Sequence, residues 1–210
     1  LKGGVSAVVH DIVCENPDLT YGIIHIAWDK NSPHEDLYGM PENVKWVKML
    51  YLSLDVNRDA FAEACDPSAL RMSFAERQAL TQRLMDGFSA LIAGDVNPLW
   101  KLYDEGINPA TRSYNLFGLF GTREFMQAIA GLGFLSEVPF GELFWKVRDF
   151  VSILFALLHE RMPHARVYHA HTTGYAALIA AAAARDHGTS FLLTEHNLYI
   201  RDTVNTKLER

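Results

Sequence analysis

Three histidines sit in two short apolar runs near the end of the chain. Arg166-Val-Tyr-His169-Ala-His171 leads into Thr-Thr-Gly-Tyr and an alanine-rich run that ends at His187-Gly188. Thr189-Ser-Phe-Leu-Leu-Thr194-Glu195-His196-Asn-Leu-Tyr199 follows. Three kinds of chemistry fit these residues. The imidazoles could cap backbone groups at strand ends, which is a structural role. They could ligate a metal, because His-Ala-His on a strand turns alternate side chains to one side, as in metal-dependent barrel hydrolases. A metal site of that kind draws further ligands from several later strands, and here only Glu195, His196 and Asp202 remain. The third possibility is a sugar or phosphate site, where imidazoles and the Thr194 hydroxyl would hydrogen-bond hydroxyls or anions.

The elements that must position these groups are legible around them. The runs at 166–171 and 189–196 have the composition of short buried strands, and Thr173 to His187 is rich in Ala, Leu and Ile. Gly188 stands where a helix stops in the left-handed conformation. A strand–helix–strand unit of this length is a βαβ crossover with parallel strands. It brings both strand C-termini to one edge, where open α/β sheets bind ligands, so His171 and His196 are expected to face one crevice.

The same logic applies at the start. Gly3-Gly4 precedes Val5, Val8, Val9, Ile12 and Val13, an apolar face with helical spacing that Asn16-Pro17 ends. Gly3 and Gly4 could present unpaired helix amides to an anion, or serve simply as a turn. A helix starting at Gly4 is a crossover without its strand, which places the first strand before Leu1. Tyr21 to Trp28 reads as a strand in which His25 is a core or edge residue, 29–41 as a loop, and Val44 to Leu54 as a strand. From about 57 to 163 the pattern turns helical. Ser73 and Glu76 form a capping box ahead of a face of Leu80, Leu84, Phe88 and Leu91. Gly94 to Pro98 breaks that pattern, and Thr122 caps a helix running to Gly131. Gly141 to Met162 carries a stripe of Leu143, Phe144, Val147, Phe150, Val151, Leu154, Phe155 and Leu158, whose aromatic residues read as core. The fold class is therefore α/β, a Rossmann-like parallel sheet with a largely helical insert.

Composition narrows the partners. The net charge of −6 comes without a basic cluster, which argues against nucleic acid, whose affinity rests on neutralised phosphates. Two cysteines, Cys14 and Cys65, suggest reduced thiols and a cytoplasmic setting rather than a disulfide framework. The longest apolar runs fall short of a membrane helix.

Gly3-Gly4-Val5-Ser6, His169-Ala-His171-Thr-Thr-Gly-Tyr-Ala-Ala and Thr194-Glu195-His196-Asn-Leu-Tyr199-Ile-Arg201 together resemble the N-terminal domain, of unknown function, of Pel-type exopolysaccharide glycosyltransferases. These belong to retaining glycosyltransferase family 4, which has the two-Rossmann GT-B fold. The resemblance runs over nearly the whole chain, with specific blocks at 3–6 and 166–201 and a looser match between. It implies transfer of a sugar from a nucleotide-diphosphate sugar, UDP-glucose in relatives, to a glycan acceptor, without a metal or other cofactor. By the same resemblance Gly3 and Gly4 lie near the donor diphosphate and His171 contacts the donor sugar near the reacting carbon. His169, Thr194 and His196 line the donor side of the cleft, and Glu195, Tyr199 and Arg201 lie toward the acceptor. Asn197 stands where the pattern commonly has Gly. The nucleotide would be held by a C-terminal Rossmann domain with paired glutamates, which nothing after Arg201 supplies, so the 210 residues read as the acceptor-side half. Implied partners are that C-terminal domain, the two substrates and polysaccharide export machinery.

Two other functions fit the architecture. A nucleotide-sugar epimerase also uses two Rossmann domains, and a non-catalytic carbohydrate-binding α/β domain would need no donor site.

Overall fold

A computed structural model describes residues 4–32, 36, 38–132 and 138–196. In chain order the elements are α1 (Val5–Glu15), β1 (Tyr21–Ala27), β2 (Val44–Tyr51), α2 (Leu54–Ala64), a 3-10 turn (Pro67–Leu70), α3 (Phe74–Ile92), α4 (Asn97–Gly106), α5 (Phe117–Phe120), α6 (Arg123–Ala130), α7 (Phe140–Leu158), β3 (Val167–Ala170), α8 (Tyr175–His187) and β4 (Ser190–Leu193). The class is mixed α/β with parallel strands. The chain divides into two units: Leu1–Tyr51 with Met162–Arg210, and the helical Leu52–Arg161.

In the first unit the described strands form two parallel pairs, β1 with β2 and β3 with β4, rather than one continuous ladder. Residues 28–43 are long enough to carry the crossover that a parallel β1–β2 pair requires. Asn43 ties α1 to this pair. Its amide donates to the carbonyls of Val13 and Asn16, and its own carbonyl accepts from the Tyr21 N–H. Gly22 faces the Trp46 ring so closely that a Cβ there would lie 2.0 Å from it. The second strand ends at Tyr51, three residues short of the expected Leu54. Ser53 is the reason: its hydroxyl accepts the Asp55 N–H and starts α2 at Leu54.

The helical unit follows its local signals where they are caps. Ser73 and Glu76 complete a capping box, and Thr122 accepts the Phe125 N–H to begin α6. The stretch from Gly94 to Pro98 does interrupt the pattern: α3 ends at Ile92 and α4 starts afresh at Asn97, with Pro98 in its first turn, where a residue has no N–H partner to lose. The core gathers Leu70, Leu80, Leu84, Leu102, Leu116, Leu119, Phe125, Met126, Ile129 and Leu143, with a smaller cluster of Phe117, Val151 and Phe155. The apolar stripes are wider than the buried faces. Leu91 on α3 is exposed although it shares a face with buried Leu80 and Leu84, and Phe144 and Phe150 on α7 are exposed although their stripe reads as core, as is Trp145 beside them. Helical spacing shows which side chains share a face, while a neighbouring element decides how much of that face is covered.

Candidate functional site

α8 packs against both strands of the β3–β4 pair. Its buried Ile179, Ala180, Ala182, Ala183 and Ala184 let the helix lie close. Gly188, left-handed at φ 63°, accepts no side-chain strain there and closes the helix by donating its N–H to the carbonyls of Ala184 and Arg185. At the other end the helix begins at Tyr175, two residues later than expected. Gly174 precedes it at φ 80°, ψ −131°, a backbone that side-chain-bearing residues avoid. Gly4 precedes α1 in nearly the same geometry, φ 63°, ψ −146°. Both helix entries therefore demand glycine, which explains Gly174 within the His-Ala-His-Thr-Thr-Gly block.

The register pairs His169 with Leu192 and Ala170 with Leu193, and the Thr194 N–H continues the ladder to the Ala170 carbonyl at 2.8 Å. Just past the strand ends, side chains link the two segments three times. His169 Nε2 and Thr194 Oγ1 share a 2.7 Å hydrogen bond, His171 Nδ1 and His196 Nε2 lie 3.3 Å apart, and the Thr173 hydroxyl donates to Glu195 Oε1 at 3.4 Å. The His169 and His171 rings, two residues apart on one strand side, have centroids 4.0 Å apart, and the His171 and His196 rings stack at 5.6 Å. His169, His171, Thr194, Glu195 and His196 are thus brought together, as the strand–helix–strand reading expects. Thr173, unremarked in the sequence, joins them. None of these hydrogen bonds involves Gly4. Gly3, Tyr199 and Arg201 lie outside the described residues.

The electrostatics favour neutral rings. Partial desolvation, then the charge of His196, holds the His169 imidazole below its ordinary value. Desolvation, then His169, then His196, does the same to His171. A neutral imidazole carries one donor and one acceptor nitrogen, the inventory needed to orient a hydroxyl. Among the described residues no group of three or more His, Cys, Asp and Glu side chains is arranged to hold a metal ion. His187 and His164 differ from this cluster. His187 Nε2 meets the Met162 carbonyl at 2.8 Å and packs on Tyr168 and His164 at the opposite end of β3, which is a structural role.

The strands themselves are less buried than their composition suggests. Tyr168 and Ala170 are covered, but all four residues of β4 are exposed. 

Residues 1–206 match the family described as "Domain of unknown function (DUF3492)". The chain belongs to this family. No curated protein and no solved structure matches it. The match covers the Gly3-Gly4 block, both histidine segments and the helical unit between them, so this family's domain includes all the elements described above. No described helix is long and apolar enough to cross a membrane.

Proposed function

We propose that this DUF3492 domain is the acceptor-side half of a retaining glycosyltransferase that moves a sugar from a nucleotide-diphosphate donor, UDP-glucose by resemblance, to a glycan acceptor. The observation that carries the proposal is the linked trio His169, His171 and His196 at the shared C-terminal edge of two parallel strands, where α/β folds bind ligands. His196 engages His171 at Nδ1, which leaves Nε2 as the nitrogen that meets a sugar hydroxyl. His169 is held in turn by Thr194. These contacts pre-set the ring orientations, so positioning and electrostatics, rather than a covalent nucleophile, supply the catalysis. No side chain caps the start of α1 at Gly4, and its first amides would face the leaving diphosphate. In the two-lobed fold that the resemblance implies, a partner domain holds the nucleotide. Work on a cytoplasmic nucleotide sugar, without a metal, belongs to the same proposal.

The test is sugar transfer by the intact protein from radiolabelled UDP-glucose and other nucleotide sugars to oligosaccharide acceptors. His171→Ala is expected to lower turnover at least tenfold, about 1.4 kcal/mol of barrier, while His187→Ala at the other end of β3 retains it. Wild-type turnover in His171→Ala would remove that residue from the site. Failure of the intact protein to transfer from any nucleotide sugar would refute the proposal.

A further inference from the structure

The helical unit holds a cleft of about 910 Å³ that the histidine cluster does not touch. Ligand clefts commonly span ~300–1,000 Å³. The 3-10 turn, the start of α3 and the start of α6 line it, and Arg71, Phe74, Arg77, Arg123, Glu124 and Gln127 supply its side-chain chemistry. Its charges balance. The guanidinium groups of Arg71, Arg77 and Arg123 meet the carboxylate of Glu124 in the wall and those of Asp66 and Glu76 beside it. Hydrogen bonds hold all three carboxyls below their usual range, so they stay ionised at neutral pH: Asp66 through Ser68, Glu76 through Ser73, and Glu124 through Arg77, with Arg123 adding its charge. Three cations against three anions leave no net charge to select an ionic ligand. The wall is also fixed in place. Arg77 Nε and Nη2 donate to one Glu124 oxygen at 2.9 and 2.7 Å, and Nη1 donates to the Met72 carbonyl at 2.9 Å, which ties α3 to α6.

A ligand matched to such a surface is neutral and rich in hydroxyls. A hydroxyl both donates and accepts, so one kind of group can meet a guanidinium, a carboxylate and the Gln127 amide. Phe74 supplies the second kind of chemistry. It opens α3 with 62% of its surface exposed, on the rim of a polar cleft rather than in the core beside it. Its flat ring suits the apolar C–H face of a pyranose, whose hydroxyls project from the edge. A peptide would ask for different walls. An extended one adds to a strand edge, and a helical one lies in an apolar groove. This cleft is built from helical elements, and its apolar side chains are Pro67, Met72 and Phe74.

We infer that this cleft binds a neutral oligosaccharide, with Phe74 stacking on one pyranose ring and Arg71, Arg123 and Gln127 hydrogen-bonding its hydroxyls. None of these residues belongs to the histidine cluster, so the proposed transferase activity stands or falls separately.

Isothermal titration of the purified chain tests it with four probes: cellotetraose, maltotetraose, mannotetraose and, as the anionic counterpart, tetragalacturonate. At least one neutral tetrasaccharide is expected to bind about tenfold or more tighter than tetragalacturonate. Its affinity should change by less than about twofold between roughly 50 and 500 mM NaCl, because no ion pair forms with it. Phe74→Ala should weaken it about tenfold or more with an unchanged urea midpoint, since the ring is exposed, while Phe74→Trp should retain it. Gln127→Ala should weaken it about threefold or more, and His171→Ala should bind as the wild type does. No binding of any neutral probe, tetragalacturonate binding as tightly, affinity lost at high salt, wild-type affinity in Phe74→Ala, or affinity lost in His171→Ala would each overturn the inference.

Discussion

Lowering the pH should load charge onto His169 and His171, two imidazoles that the fold places side by side and next to His196. The size of the penalty follows from the geometry. Two unit charges 4.0 Å apart, the separation of the His169 and His171 centroids, repel by about 1 kcal/mol in water and about 4 kcal/mol at an effective permittivity of 20. At 5.6 Å, the His171–His196 separation, the water figure is about 0.7 kcal/mol. His169 is exposed and His171 half-buried, so the water-like values apply and the total is on the order of 1–2 kcal/mol. The sign is fixed by the direction of the shifts. Both groups are held below their ordinary value of about 6.5, so the unfolded chain takes up protons first as pH falls. The stability they contribute is complete above that value and is lost as pH drops through their lower folded values. An NMR titration that follows the imidazole carbon-bound protons measures this directly. His169 and His171 should titrate below the unfolded midpoint, and His196→Ala should raise both, because it removes a charge that opposes them. Midpoints at or above the unfolded value, or curves unmoved by His196→Ala, would refute the neutral-cluster account.

Two further predictions concern the scaffold. Leu119 is fully buried in the helical core, so Leu119→Ala should lower unfolding free energy by about 3–5 kcal/mol in urea denaturation, whereas Leu91→Ala, at an exposed position, should change it by less than about 1 kcal/mol. Burial pushes the Cys65 thiol up to about 12, so iodoacetamide at pH 8 should modify exposed Cys14 well before Cys65, as read by peptide mass spectrometry.

Short-range signals in the sequence foretell much of this structure. The capping box at Ser73 and Glu76, the Thr122 cap and the Gly188 stop each specify a helix boundary from residues three or four apart, and the structure has all three. The strand–helix–strand block carries its own topology in the same way, because a helix of that length between two apolar runs returns the second strand parallel to the first. Signals that point two ways were harder to read. Ser53 suits a helix cap as well as a strand end, and the structure uses it as a cap.

Thus the residue types and spacing by themselves determined that His169, His171 and His196 end parallel strands at one edge. Only the tertiary structure decided their partners: His169 with Thr194, His171 with His196 and Thr173 with Glu195, each more than 20 residues apart in the chain. It also decided that Phe144, Trp145 and Phe150 stay in solvent, and that Arg71, Phe74 and Arg123 meet around one cleft. The physical reason is range. A cap or a helical period is satisfied by backbone groups a few residues away, so its sequence carries the whole instruction. Coverage of an apolar face, or contact between side chains on different elements, depends on which elements pack together, and that is settled by the summed burial of the whole unit.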